Sequence, residues 1–361
     1  MNILYVTGNY ESVQKHLGEA FMRSGNDIKV FYYRIRNKKE KPDLLEHVLY
    51  YNSPFHMRGP VLLLFRLKAA ALWCAKRMEK KPDILHGNMC FLDGCICRYL
   101  SHIWHVPYVL SVRDTDMNSS YLWAVPWLRR AGIRNLEQAK RILFLSEGYR
   151  EMLLERLPKA AGDKIKAKSG VIPNGIDPYF LNHRYVRRKA PEQIRIIFVG
   201  KIGKRKNLEL TTEAVRILRK RGMQVSLTAV GEIEDDAYRD MIHDHAFITY
   251  IPKCPMEDVA AHMRAADLFV MPSHTESFGL VYAEAMSQGL PVIYTRGQGF
   301  DRQFPDGTVG YAVSDTDSAE LAEKILLAME HYTERSNRCT ELAGIFDWDR
   351  IANEILKTYR E

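Results

Sequence analysis

The sequence predicts an α/β protein made of two doubly wound, Rossmann-like parallel-sheet domains facing a cleft between them, and three observations carry that expectation. Short apolar runs alternate with stretches of helical periodicity through both halves, the pattern of βαβ units. A chain of 361 residues is too long for one ordinary core, which sets two domains as the expectation. Each half opens alike, with a buried-strand run, a polar turn bearing glycine, and a helix: Ile3–Val6 before Thr7-Gly8-Asn9, and Ile194–Val199 before Gly200.

Composition narrows the class. Hydrophobic content of 46% is that of a globular chain, and no run approaches the ~20 apolar residues of a spanning helix. The opening Met1–Thr7 is a buried-strand pattern without a basic leader, so no signal peptide is expected and the cytoplasm is the expected compartment. Six cysteines (Cys74, Cys90, Cys95, Cys97, Cys254, Cys339) lack metal-ligand spacing and read as reduced core residues. Charge is uneven: 28 Lys and Arg face 17 Asp and Glu up to residue 180, whereas beyond it 24 face 27. The basic half suits nucleic acid, anionic lipid or a phosphate-bearing substrate, or is a solvated face.

Taken in order, Ile3–Val6 is a strand, Val13, Leu17, Phe21 and Met22 are spaced for a helix closed by Gly25, and Ile28–Tyr32 is the next strand. Ligands of such a sheet lie beyond the strand C-termini, which places Thr7-Gly8-Asn9 at the edge of the cleft. Arg34–Lys41 is a basic connection. Val61–Arg77 is an apolar helix with basic residues on one flank, either a packed crossover helix or an interfacial one. Pro82–His86 and Pro107–Asp116 are strands whose ends, at His86 and at Arg113 and Asp116, are expected to face the cleft. Asp114-x-Asp116 and Asp315-x-Asp317 are spaced like a metal-binding pair, but such pairs arise often by chance and no metal is assigned. Tyr121–Arg130 sets two tryptophans beside paired arginines, either as an interfacial patch or as side chains packed under a loop.

After Ile142–Leu145 and a helix near Gly148–Leu157, Val171-Ile-Pro-Asn174-Gly175 is a strand followed by a tight turn. The second half resumes at Ile194–Gly200. Lys201-Ile-Gly-Lys-Arg-Lys206-Asn207 then forms a cationic loop at a strand end before a helix at Leu208–Arg219. Leu227–Val230 and Ile248–Pro252 are further strands. No Gly-x-Gly-x-x-Gly occurs, so no dinucleotide site is expected.

The most informative stretch is Leu268–Ile293, which reads strand, turn, helix, strand. The helix starts near Gly279, where free backbone N–H groups and the positive end of the dipole make a phosphate cradle. Glu276 stands just before the cradle and Glu284 inside the helix. A carboxylate does not bind phosphate, so each is suited to the hydroxyls on either side of one, as a sugar and a ribose supply. The alternative makes Glu276 a partner of the helix dipole and Glu284 a solvated residue.

Glu276 and Glu284, with Ser277-Phe278-Gly279-Leu280 between them and Ala285-Met-x-x-Gly-x-Pro291 after, resemble the Glu-x₇-Glu signature of family-4 retaining glycosyltransferases. Pro173-Asn174-Gly175-x-Asp177 resembles that family's motif at the end of its first domain. The resemblance implies a GT-B-like fold. It implies an acceptor-side domain at 1–177 joined by the C-terminal helix 347–361, a linker at 178–191, and a donor domain at 192–346. It assigns Glu276 to the donor sugar and Glu284 to the ribose, and Lys201 and Lys206 to the donor diphosphate. Ser277, Phe278, Gly279, Leu280 and Gly200 frame the donor, and Ile251 falls where the nucleobase is held. Asn9, His86, Arg113 and Asp116 fall on the acceptor side. Arg113 stands where the family usually has histidine, and Gln298-Gly-Phe-Asp301 replaces a more usual glycine pair and glutamate. Arg113 either clamps an anion on the acceptor or pairs with Asp116.

The expected function is therefore retaining transfer of a hexosyl-type sugar from a nucleoside-diphosphate sugar. The expected acceptor is a lipid-linked or surface-glycan precursor at an anionic membrane face, and no metal, cofactor or nucleic acid is expected. A soluble acceptor, or a phosphorylase-like or sucrose-synthase-like activity on the same fold, are the enzymatic alternatives. A nucleic-acid-binding module would interleave aromatics with its charge on a sheet face, whereas here the basic residues fall mostly on helices and loops.

Overall fold

The structure, a computed structural model, describes residues 1–35, 44–54, 59–186 and 190–361. Most of the basic connection at Arg34–Lys41, and linker positions 187–189, lie outside the described residues. The chain divides into two compact units, Met1–Leu145 with Tyr149–Asn174 and Trp348–Glu361, and Ser146–Gly148 with Gly175–Asp347.

In the first unit β1 (Asn2–Thr7), β2 (Asp27–Arg34), β3 (Val48–Asn52), β4 (Ile84–Gly87), β5 (Tyr108–Val112), β6 (Arg141–Phe144) and β7 (Ser169–Val171) make one parallel sheet in the order β3-β2-β1-β4-β5-β6-β7. Alternation along these strands serves two cores. Leu4, Val6, Leu85, Leu110 and Phe144 face one, while Ile3, Tyr5, Ile84, Val109 and Leu143 face the other. The first core is closed by the helices Pro60–Arg77, Leu92–Trp104 and Pro126–Gln138. The second is closed by Ser12–Arg23 and the C-terminal helix Trp348–Arg360. That last helix buries Trp348, Ile351, Ala352, Ile355, Leu356 and Tyr359, one stripe at helical spacing.

The same period decides the fate of His86. It shares a face with Ile84, so it points under the C-terminal helix, and it is fully buried. Its Nδ1 lies 2.5 Å from the Tyr359 hydroxyl and its Nε2 2.9 Å from Ser111 Oγ. Burial, with Arg113 nearby, depresses its pKa to about 3 and keeps the ring neutral. The expectation that His86 opens onto a ligand face is thereby corrected, because Nδ1 ties the C-terminal helix to the sheet and Nε2 is taken by Ser111 on the neighbouring strand.

The helix Pro60–Arg77 is a packed one, burying Leu67, Ala70, Ala71 and Cys74 while leaving Phe65 and Leu72 exposed. All six cysteines are free, and all but Cys254 are buried. Among the described residues no helix is long and apolar enough to cross a membrane.

The second unit contains β8 (Ile194–Val199), β9 (Val225–Val230), β10 (Ile248–Ile251), β11 (Leu268–Val270), β12 (Val292–Thr295) and β13 (Gly310–Val313), all parallel, in the order β10-β9-β8-β11-β12-β13. Each sheet thus runs outward in both directions from its first strand. The order switches between β1 and β4 in one unit and between β8 and β11 in the other, and the crevice of a doubly wound sheet lies at such a switch point.

Candidate functional site

The switch point of the second unit brings together the residues that the sequence singles out on both sides of it. β8 is followed by Gly200, whose φ of +157° suits glycine, and the Gly231 turn after β9 packs so closely that a Cβ there would lie 1.8 Å from the Gly200 carbonyl oxygen. The chain then makes a short 3₁₀ turn, Lys204–Lys206, and Asn207 in the left-handed region starts the helix Leu208–Lys220. From β11 the chain enters Met271–Gly279 and then the helix Leu280–Ser287, whose N-cap is Gly279 at φ +77° with no side-chain cap. A Cβ at Gly279 would meet the Tyr282 ring at 2.4 Å, so glycine is required there on two counts.

These two loops are stitched together. Asn207 Nδ2 donates to Pro272 O (3.0 Å), His274 N to Arg205 O (3.0 Å), and an Arg205 Nη1–H to Thr275 O (3.1 Å). Lys206 Nζ donates to Glu276 Oε2, and both side chains are nearly buried. Lys201 is mostly exposed and lies 3.5 Å from Glu234. Cation and carboxylate thus stand at adjoining strand ends, immediately before an uncapped helix N-terminus.

Glu284, one turn into that helix, keeps part of its surface exposed. Even so, enough of the protein crowds its carboxyl to raise the pKa to about 7, with the charge of Asp177 adding to the effect. Among the described residues its carboxyl has no hydrogen-bond or ion-pair partner, so both oxygens are open to a ligand.

Ser277 and Leu280 are half-buried, whereas Phe278 is 1% exposed and packs against Phe300 and Phe346. Phe278 therefore offers a ligand only its backbone. Ile251, half-buried at the end of β10, spends its carbonyl on Gly231 N at 3.0 Å.

Other members of this site had no role assigned from the sequence. His274 Nδ1 lies 2.7 Å from Asp315 Oδ2, and Asp317 caps the helix Ser318–Met329 through Ala319 N and Glu320 N, so Asp315-x-Asp317 is divided between two tasks. Gln298 Oε1 accepts from Glu276 N at 3.0 Å. The alignment of loops, visible only in the fold, is what makes these residues neighbours.

In the first unit Arg113 directly follows β5 and is held by two asparagines. Its Nε lies 3.2 Å from Asn88 Oδ1 and 3.3 Å from Asn88 O, and Nη1 donates to Asn174 Oδ1 at 2.7 Å. Asp116 is 1% exposed and accepts from the backbone N–H groups of Cys90, Phe91 and Arg113. The expected open acceptor residue is instead a buried cap that shapes the turn beneath Arg113, and burial raises its pKa. No side-chain ion pair joins Arg113 to Asp116 among the described residues; the Asp114 side chain lies outside them. Arg113, Ser111 and Asn174, with Leu17 and Trp348, line a small hollow. Asn9, after β1, is exposed, and its N–H donates to Thr7 Oγ1 at 3.1 Å.

The two tryptophans of Tyr121–Arg130 part company. Trp123 Nε1 donates to Asp116 O at 2.7 Å while its ring packs on Phe91, so this one belongs to the interior. Trp127 is 45% exposed, beside the exposed Arg129 and Arg130. The Tyr121 side chain lies outside the described residues.

A family model described as Glycosyltransferase Family 4 matches residues 11–180, and one described as Glycosyl transferases group 1 matches 181–343. A D-inositol 3-phosphate glycosyltransferase of Paenarthrobacter aurescens is 32% identical over 393 residues, covering 96% of this chain and 91% of the relative. A phosphatidyl-myo-inositol mannosyltransferase of Mycobacterium leprae is 28% identical over 197 residues, 52% of each chain. Among solved structures, sucrose-phosphate synthase from Thermosynechococcus elongatus superposes with a TM-score of 0.75 at 19% identity, covering 99% of this chain and 98% of that one. Anabaena HepE in complex with UDP superposes with a TM-score of 0.74 at 18% identity, covering 99% of each.

Proposed function

The chain belongs to the family-4 glycosyltransferases and has the GT-B fold, and from that premise we propose that it is a retaining enzyme that moves a hexosyl sugar from a nucleoside-diphosphate sugar to an acceptor hydroxyl. The observation that carries the reading is the Lys206–Glu276 pair at the switch point of the second sheet, set against the uncapped start of the Leu280–Ser287 helix. That arrangement offers cationic and backbone N–H donors to a diphosphate and a carboxylate to the sugar beside it. HepE, a structural neighbour, has been solved with UDP and with UDP-glucose, which supports a donor of this class.

In this reading Lys206 and Lys201 oppose the negative charge that builds on the departing diphosphate, the role a metal ion fills elsewhere. Glu276 accepts hydrogen bonds from the sugar and Glu284 from the ribose. The bond from the anomeric carbon to the phosphate oxygen breaks, and the bond to the acceptor oxygen forms on the same face. The acceptor proton passes to the leaving phosphate, so no side-chain base is required and the arginine at position 113 is no obstacle.

Arg113 is assigned to an anionic group on the acceptor. A guanidinium oriented by two asparagines, with no carboxylate partner among the described residues, suits a phosphate. The relatives' names agree with this, since inositol 3-phosphate and phosphatidyl-inositol both carry one. Trp127, Arg129 and Arg130 are assigned to an anionic membrane face presenting a lipid-linked acceptor.

Incubation with a panel of nucleotide sugars tests the reading. Release of nucleoside diphosphate from one member, slow alone and faster with inositol phosphate or phosphatidylinositol, is the expected result. Inertness toward every donor would remove the transferase assignment.

A further inference from the structure

Resting on the reading of Glu276 as the donor-sugar carboxylate, we infer that Gln298 is a positioning residue for Glu276, setting the carboxylate through its own backbone amide. The loop Met271–Glu276 is gripped on the side of β8 by Asn207, Arg205 and Lys206. On the side of β12 it is gripped by a second run of chain, Thr295–Gly299. Thr295 Oγ1 donates to Ser273 O at 2.7 Å, and Gly299 N donates to Glu276 O at 2.8 Å. Between them Gln298 Oε1 accepts from Glu276 N at 3.0 Å. The backbone donor and acceptor of Glu276 are thus both taken by this turn.

The turn has no freedom to drift. A Cβ at Gly299 would lie 2.3 Å from the Ser277 backbone, so the two chains are in direct contact and only glycine fits. Phe300 is 1% exposed and packs against Phe278 and Tyr282, while Asp301 Oδ2 accepts from Gly297 N at 2.7 Å. Gln298 therefore projects from a rigid base. Of its amide atoms only the oxygen can accept an N–H, which fixes the orientation of the group.

The consequence is mechanical. Lys206 holds the far end of Glu276 and Gln298 the near end, so the carboxylate has two tethers. A diphosphate that draws Lys206 to itself leaves Gln298 and Gly299 to hold the residue in place, at the moment when a displacement of a fraction of an ångström is most costly to rate.

The test compares Gln298→Met, which keeps the shape and removes the acceptor, with Gln298→Glu, which keeps an acceptor oxygen. Two readouts are taken: amide hydrogen exchange at Glu276, which needs no turnover, and kcat against the dissociation constant for nucleoside diphosphate. The inference expects Gln298→Met to exchange the Glu276 amide at least tenfold faster and to lose at least tenfold in kcat, with diphosphate affinity within threefold of wild type. Gln298→Glu is expected to stay within about threefold on every measure. Unchanged exchange in Gln298→Met overturns the inference, as does equal impairment of both variants, including loss of fold in both. A wild type that transfers no sugar would instead defeat the functional reading, and the exchange measurement would still report whether Gln298 holds Glu276.

Discussion

Lys206 donates from Nζ to Glu276 Oε2 with the two side chains 12% and 9% exposed, so the cation assigned to the donor diphosphate is held by the carboxylate assigned to the donor sugar. A buried pair of this kind is costly to break from one side, because the survivor is left as an uncompensated charge.

The pair makes the first prediction. Lys206→Met and Glu276→Gln should each lower turnover by about 10²–10³, the usual cost of one preorganised electrostatic group. Lys206→Met should also destabilise the fold by about 3–5 kcal/mol, and adding Glu276→Gln should recover part of that loss. Calorimetric titration of nucleoside diphosphate adds a sign. Glu276→Gln should bind it at least as tightly as wild type, since Lys206 no longer has a competitor. Weakened binding would show that Glu276 does not compete with phosphate for the lysine.

Glu284 makes a pH prediction. Its pKa is raised from 4.5 to about 7 by burial and by Asp177. Between those values the folded protein keeps a proton that the unfolded chain has released, so stability falls as pH rises through that window. Glu284→Gln should therefore melt higher than wild type at pH 8 and no higher at pH 4. In the proposed role the ionised form accepts from two ribose hydroxyls, so donor affinity should rise with pH through about 7 in wild type and stay flat in the glutamine variant. A flat wild-type profile would take the ribose away from Glu284.

Much of the fold was legible because a strand buried on both faces reads as a continuous apolar run, as in β1, and a helix with one buried stripe shows helical spacing, as in Trp348–Arg360. The edge strands β3 and β13 were not picked out, being short and in part exposed. At the site, Lys206, Glu276 and Glu284 carried a signal in residue type and spacing. Gln298 stood out only as a departure from the family pattern and His274 not at all, and neither could be given its partner, which lies 22 or 41 residues away and becomes a neighbour only through the strand order. His86 stands at a strand end as anticipated, whereas the strand expected to run to Asp116 stops at Val112 and Asp116 falls in the short helix Asp114–Asn118. Which side they face was decided by alternation in one case and by a capping bond to the backbone in the other.

Turnover should survive excess EDTA, because the proposed mechanism assigns to Lys206 and Lys201 the positive charge that the diphosphate requires. Complete loss of activity, restored by Mn²⁺ or Mg²⁺, would show that the lysines are insufficient.

Flotation with anionic and neutral liposomes tests the membrane face. The net positive charge up to residue 180 should favour anionic vesicles, at ~1 kcal/mol for each well-placed basic residue. Arg129→Glu/Arg130→Glu and Trp127→Ser should each reduce binding, whereas Trp123→Ser should chiefly destabilise the protein, because that ring packs on Phe91. Absence of wild-type binding at low salt would leave a soluble acceptor as the reading.

The most direct measurement is proton NMR of the anomeric signal during turnover of whichever nucleotide sugar the panel identifies, run in parallel for wild type and Lys206→Met. The account predicts a first-formed product with the donor's anomeric configuration, appearing at least a hundredfold more slowly in the variant. A first-formed product of inverted configuration, or a variant that turns over like wild type, would contradict it.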